Sequence, residues 1–214
     1  YFHPSNPIAA DAIGALATTN NERESEVMLQ GLPTRKVGVL AGPALPADLA
    51  EGQFASMVVA STFDEVVAEA RRLVNTPPAL RVYGSKDLAG VELASALSGA
   101  YTVALGLCDG IGMGPGPRAV LVTRAVAEAS RLGVAAGAEA RTFAGLAGLG
   151  NLLVRAVASN GGPERSADYK LGRQLAEGVI SGDTVKTEGA RAAIAGVALA
   201  KSLKVRMPVL QGVA

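Results

Sequence analysis

The chain has 214 residues, 49% of them hydrophobic and 18% charged, a composition that excludes a disordered polypeptide and is long enough for one large domain or two small ones. A net charge of +1, with lysines and arginines dispersed, leaves no electrostatic footprint for nucleic acid or an anionic membrane. The single Cys108 excludes an internal disulfide, fits a reducing cytoplasmic setting and, lying in an apolar helix, reads as a buried structural thiol. Aromatic residues make up only 4% and glycines number 26, so the interior must be built from close helix contacts over small side chains. No run of 18 or more uncharged apolar residues occurs, and no basic segment precedes a hydrophobic one near residue 1. Neither a membrane span nor a signal peptide is expected.

Residues 1–34 carry little pattern: Pro4 and Pro7 break any early helix, and only Glu22 to Gln30 has helical character. Lys36–Ala41 and Gln53–Ala60 are β-branched runs, separated by a short helical stretch from Ala44 to Glu51. Thr62 and Glu65 have the spacing of a capping box, and Val66, Val67, Ala70, Leu73 and Val74 give an amphipathic stripe before Pro77-Pro78. Leu80–Tyr83 is a third strand, and this alternation is the rhythm of an α/β sheet. It resembles the trailing part of a Rossmann domain. No strand running into GxGxxG precedes residue 34, so either the chain lacks that half-domain or the protein never had one.

From Lys86 the code changes. Leu88 to Leu107 is apolar or small except for Glu92, three hydroxyl residues and a tyrosine, which predicts a central helix buried on nearly every face. The glycines at 110, 112, 114 and 116, interleaved with Pro115 and Pro117, predict a helix-to-helix turn. From Pro117, Val122, Ala125, Val126, Ala129 and Leu132 form one face of the next helix, with Arg124, Glu128 and Arg131 opposite it at ion-pair spacing. Glu164–Val179 and Glu188–Leu203 read as further helices. Two domains are expected, 1–85 and 86–214.

Three stretches resemble the bacterial NAD(P)-dependent glycerol-3-phosphate dehydrogenases. Gly90–Leu93, Ala96-Leu97 and Asp109–Gly114 match the family's interdomain helix; Thr142–Leu152 (TFAGLAGLGNL) is close to TFxGLAGLGDL; and Glu188 to Pro208 fits its ending. The resemblance runs from about Glu24 onward and implies an incomplete Rossmann-like α/β part followed by an all-α domain of the 6-phosphogluconate dehydrogenase C-terminal-like type. It also implies a reaction, the interconversion of dihydroxyacetone phosphate and sn-glycerol 3-phosphate with NAD or NADP, which feeds phospholipid synthesis.

Carried over residue by residue, the resemblance also implies lost chemistry. The family's acid/base Lys is Ser98 here and its Asp is Asn151. Its phosphate-gripping SRN falls on Ser166-Ala167-Asp168, with Arg165 or Lys170 as candidate replacement cations. Its GPS segment leaves Gly42 but turns the substrate-contacting Ser into Ala44, and Glu188 keeps a cofactor-side position. The TKG motif, whose Lys contacts both ligands, is missing. The leading expectation is therefore a non-catalytic family member kept as a scaffold, partner subunit or sensor. An active dehydrogenase of this family or of the β-hydroxyacid group, using other residues, is the second reading. A self-association module built on the small-residue helices is the third. Glu92 is expected to pair with an arginine or backbone, Asp109 to cap the glycine turn, and Asp183 to be solvated. His3 builds no metal site.

Overall fold

A computed structural model of the chain describes residues 9–11, 23–156, 166–179 and 187–214. Its sheet has the order β1 (Ala9–Asp11), β2 (Val37–Ala41), β3 (Ala55–Ala60), β4 (Leu80–Ser85). β1 is a strand that the sequence pattern does not reveal. α1 (Glu24–Gly31) precedes β2, α2 (Pro46–Ala50) follows it, and α3 (Asp64–Val74) joins β3 to β4.

The sheet is mixed. β1 and β2 run parallel, as do β3 and β4, but β2 and β3 are antiparallel, with Val39 opposite Ala60. Helix length explains the reversal. Returning across a strand of five residues needs roughly 17 Å of travel; a five-residue helix such as α2 rises only about 7.5 Å, whereas the eleven residues of α3 rise about 16.5 Å. The chain therefore turns back after β2 and crosses over after β3.

The expected capping box at Thr62 and Glu65 does not form. α3 begins at Asp64 with Phe63 at its N-cap, which leaves Thr62 outside the helix. Ser61 does the work instead: its hydroxyl accepts from Phe63 N–H (3.1 Å) and donates to the Val37 carbonyl (2.6 Å), tying α3 to β2.

α4 (Leu88–Gly110) is the axis of the remainder, and every residue from Gly90 to Gly106 is buried. Length and hydropathy alone would suit it to a bilayer, yet 89% of its apolar window is covered by the fold itself. Asp87 caps it by accepting from Gly90 N–H (2.9 Å), and its second oxygen accepts from Glu139 N–H and the Thr142 hydroxyl (3.0 and 2.5 Å). Around α4 lie α5 (Pro115–Ala135), α6 (Ala140–Phe143), a π-helical turn (Leu146–Gly150), α7 (Asn151–Ala156), α8 (Ala167–Ala176), α9 (Glu188–Ser202) and α10 (Pro208–Gln211). Small residues permit the crossing of α4 and α8. A Cβ on Gly106 would sit 2.1 Å from the Tyr169 carbonyl oxygen, and one on Gly172 would sit 2.0 Å from that of Val103. The main core takes Val39, Ala41 and Ala60 from the sheet together with Leu93, Leu97 and Tyr101 of α4, so sheet and helices share one apolar interior.

Several expectations are corrected here. α5 begins at Pro115, two residues early, because proline fits a first helical turn whose N–H groups need no intrahelical partner. Glu128 turns inward instead of facing solvent: at 2% exposure it accepts from Val209 and Leu210 N–H (3.1 and 2.8 Å) and from the Tyr101 hydroxyl (3.4 Å), anchoring α10. Asp109 links helices, with its carboxylate taking the Tyr169 hydroxyl of α8 and pairing with Arg118 of α5 at 3.1 Å. α8 ends at Ala176, short of Val179, and Gly178 follows with φ of 67°. Glu92 behaves as expected, accepting from Ser25 N–H and hydroxyl (2.8 and 2.6 Å) near Arg23. His3, Asp183, Glu164 and Arg165 lie outside the described residues.

Candidate functional site

Four helices meet beside the middle of α4. Ser95 and Ser98, three residues apart, present their hydroxyls to the same side of the helix. Asn151 is the first residue of α7, placed there by the π turn before it, and is 6% exposed. Its amide donates to Ser98 Oγ at 3.0 Å and Ser95 Oγ at 3.3 Å. The Ser98 hydroxyl in turn donates to the Ser95 carbonyl at 2.6 Å. Ser98 and Asn151, singled out by the sequence resemblance, thus share one hydrogen-bonded cluster.

The cluster continues into an ion pair. Arg155, one turn beyond Asn151 on α7, donates from Nε to Asn151 Oδ1 (3.2 Å) and from its terminal nitrogen to Asp168 Oδ2 (3.3 Å). Asp168 lies in the first turn of α8, which Ser166 caps by accepting from Tyr169 N–H. Its other oxygen accepts from Gly189 N–H at 2.9 Å, in the first turn of α9. This last contact depends on glycine: a Cβ at 189 would lie 2.5 Å from the Gly99 carbonyl oxygen of α4. The result is a chain of polar contacts from α4 through α7 and α8 to the start of α9, in which one guanidinium answers one carboxylate.

The remaining predicted positions sit around this chain. Gly42, with φ of 145°, turns the backbone at the end of β2, and a side chain there would meet Met57 backbone at 2.9 Å. Pro43 carries that turn against the loop before Asn151; a Cβ on Gly150 would be 3.3 Å from Pro43 Cγ. Ala44 follows, half-buried and without any group able to hydrogen-bond a ligand except its backbone. Ala167 and Glu188 are exposed, and so is Lys170, which does not enter the cluster. The cation comes instead from Arg155, which sequence reading missed although its spacing of four from Asn151 puts both on one helical face. Ser95 was missed too.

Little space is left. Ser95, Gly99, Arg155, Glu188 and Gly189 line a small, partly open cavity with room for about one water. A far larger cleft, about 700 Å³, lies elsewhere, between Tyr83–Lys86 at the end of β4 and the Glu139–Ala147 segment, and none of Ser98, Asn151, Arg155 or Asp168 lines it. The cluster offers a hydroxyl, an amide and a guanidinium already engaged by a carboxylate. Burial pushes up the thiol of Cys108, also on α4, and Asp109 adds to the effect.

Residues 87–214 match the family model for the NAD-dependent glycerol-3-phosphate dehydrogenase C-terminus. The chain is 39% identical over 210 residues to a glycerol-3-phosphate dehydrogenase [NAD(P)+] of Polaromonas naphthalenivorans, covering 96% of this chain and 58% of that relative. Over 201 residues it is likewise 39% identical to the enzyme of the same name from Desulfovibrio desulfuricans, of which it covers 59%. Among solved structures it resembles glycerol-3-phosphate dehydrogenase from Coxiella burnetii, with a TM-score of 0.84, 27% identity and coverage of 95% of this chain and 62% of that one. The fold alone is shared with a protein of Dunaliella salina at 17% identity and a TM-score of 0.80. The chain therefore spans a little over half the length of the curated relatives it matches.

Proposed function

This chain belongs to the NAD-dependent glycerol-3-phosphate dehydrogenase family, and we propose that it has kept the family's fold while losing its chemistry. One observation carries this reading. At the positions of the expected ammonium and carboxylate, Ser98 and Asn151 hydrogen-bond each other at 3.0 Å, and the nearby guanidinium is engaged by Asp168. A serine hydroxyl neither titrates near neutrality nor places positive charge on a carbonyl oxygen, and an asparagine amide cannot steady an ammonium. Removing a general acid alone costs about 10² to 10⁴ in rate. Removing the phosphate cation weakens substrate binding as well.

Cofactor binding gains little support from the described residues. Gly110 to Gly116 lie between α4 and α5, and Gly145 to Gly150 between α6 and α7, rather than between a strand and a helix, so neither set forms a pyrophosphate cradle. NAD or NADP thus comes to this chain by family alone, with Glu188 its remaining cofactor-side position. The role left to such a chain is that of a scaffold, partner subunit or sensor in the cytoplasm.

The test is a 340 nm assay of the full chain with dihydroxyacetone phosphate and NADH or NADPH. No substrate-dependent change is expected, and the Ser98→Lys, Asn151→Asp double variant is expected to fold. Turnover at ordinary enzymatic rates refutes the reading. Arg155 favours a second reading, an active dehydrogenase in which this guanidinium takes the substrate phosphate. In that case the wild type turns over and Arg155→Leu abolishes activity mainly through KM.

A further inference from the structure

We propose that Asp168 acts as the internal anion of this pocket, seated where Arg155 and the first turn of α9 would otherwise hold an external oxyanion such as phosphate. The inference rests on the reading of a chemically silent site and goes further, because it says what keeps the site shut and which side chain sets its ligand class. Asp168 is 4% exposed, and both of its oxygens are used. One takes Gly189 N–H at 2.9 Å, at the positive end of the fifteen-residue α9, and the other faces the Arg155 guanidinium at 3.3 Å. A backbone N–H at a helix start beside an arginine fork is a donor set suited to a multi-oxygen anion. Here a carboxylate of the chain itself satisfies it, held rigidly because it lies in the first turn of α8 between α4 and α9.

Geometry and charge then act together. Beside the carboxylate, Ser95, Gly99, Arg155 and Gly189 line a small cavity with room for about one water. A phosphate approaching Gly189 would meet not only a filled volume but a like charge within contact distance, which disfavours it strongly in a site largely shielded from water. Shortening the side chain removes the carboxylate that holds Gly189 N–H and leaves Arg155 without its partner, while Glu188 remains at the cavity's edge. The structure thereby assigns anion exclusion to Asp168 and the latent anion affinity to Arg155.

The experiment titrates inorganic phosphate, with chloride as the ionic-strength control, into the full chain as wild type, Asp168→Ser, and Asp168→Ser with Arg155→Leu. Phosphorus NMR line broadening and the thermal midpoint are the readouts. Asp168→Ser is expected to bind phosphate on the order of ten-fold or more tighter than wild type, and the added Arg155→Leu is expected to abolish the gain. Equal phosphate binding by wild type and Asp168→Ser overturns the proposal, as does a folded Asp168→Ser that binds none. Should Asp168→Ser not fold, Asp168→Asn keeps an acceptor for Gly189 N–H and removes the charge; phosphate binding no tighter than wild type in that variant also overturns it. The outcome is separable from the question of activity. Turnover by the wild type refutes the silent site whatever phosphate does, whereas an inactive wild type with no gain in Asp168→Ser refutes only the internal anion.

Discussion

Replacing Arg155 by leucine removes the one cation of the cluster among the described residues, and the structure sets the size of the effect. Asp168 Oδ2 loses its partner at 3.3 Å, while Oδ1 keeps Gly189 N–H at 2.9 Å. Breaking a buried ion pair by deleting one member costs about 3–5 kcal/mol. The Asp168 side chain is 5% exposed but that of Arg155 is 26% exposed, so water reaches the vacated side and the cost falls to about 2 kcal/mol. Asn151 Oδ1 loses a donor as well, adding about 1 kcal/mol. Arg155→Leu is thus expected to destabilise by about 3 kcal/mol. Asp168→Asn in the same background should recover about 1–2 kcal/mol, since no unpaired charge then remains. Urea unfolding of the four proteins of this cycle, at constant m-value, gives both numbers. A single variant within about 0.5 kcal/mol of wild type, or two strictly additive substitutions, would show that the pair is a surface contact of no energetic consequence, and the account of a self-satisfied pocket would fall with it.

Three further outcomes follow from the packing. Gly106→Ala is expected to cost about 2 kcal/mol or more by driving α4 and α8 apart, since its Cβ would lie 2.1 Å from Tyr169 backbone, whereas Gly116→Ala, with nothing within 4 Å, should be neutral or slightly stabilising by thermal melting. Glu128→Ala leaves the Val209 and Leu210 N–H groups without their acceptor and should lower stability by about 2–3 kcal/mol and speed hydrogen exchange in α10 first. Burial, reinforced by the Glu128 carboxylate, lifts the Tyr101 hydroxyl far above the ordinary tyrosine value of 10.0, so the folded state keeps its proton while the unfolded chain loses it. Its stabilising contribution is complete below pH 10 and shrinks as pH rises beyond it, by up to about 1.4 kcal/mol per unit; alkaline urea titrations should show a shallower decline for Tyr101→Phe.

Much of this architecture was written in the residues. The small and apolar run after Lys86 read as a central helix, and the TFAGLAGLGNL pattern singled out Asn151, though not its contact with Ser98. What escaped was set by partners distant in sequence. Glu128 looked like a solvated charge on a polar helix face because periodicity registers a carboxylate but not the two N–H groups, 81 and 82 residues later, that draw it inward. Arg155 stands four residues after Asn151, yet its role appears only when Asp168 arrives across 13 residues of chain from another helix. Strand direction was hidden for a different reason: it is decided by whether a connecting helix is long enough to cross the sheet, and α2 is not.

The central claim, that this pocket holds no working chemistry, is tested most directly by single turnover. An excess of the full chain over dihydroxyacetone phosphate, with NADH, is quenched over seconds to hours and assayed for sn-glycerol 3-phosphate. The account predicts no product above a protein-free control, while one equivalent formed at about 1–10³ s⁻¹, the ordinary range of enzymes, would contradict it.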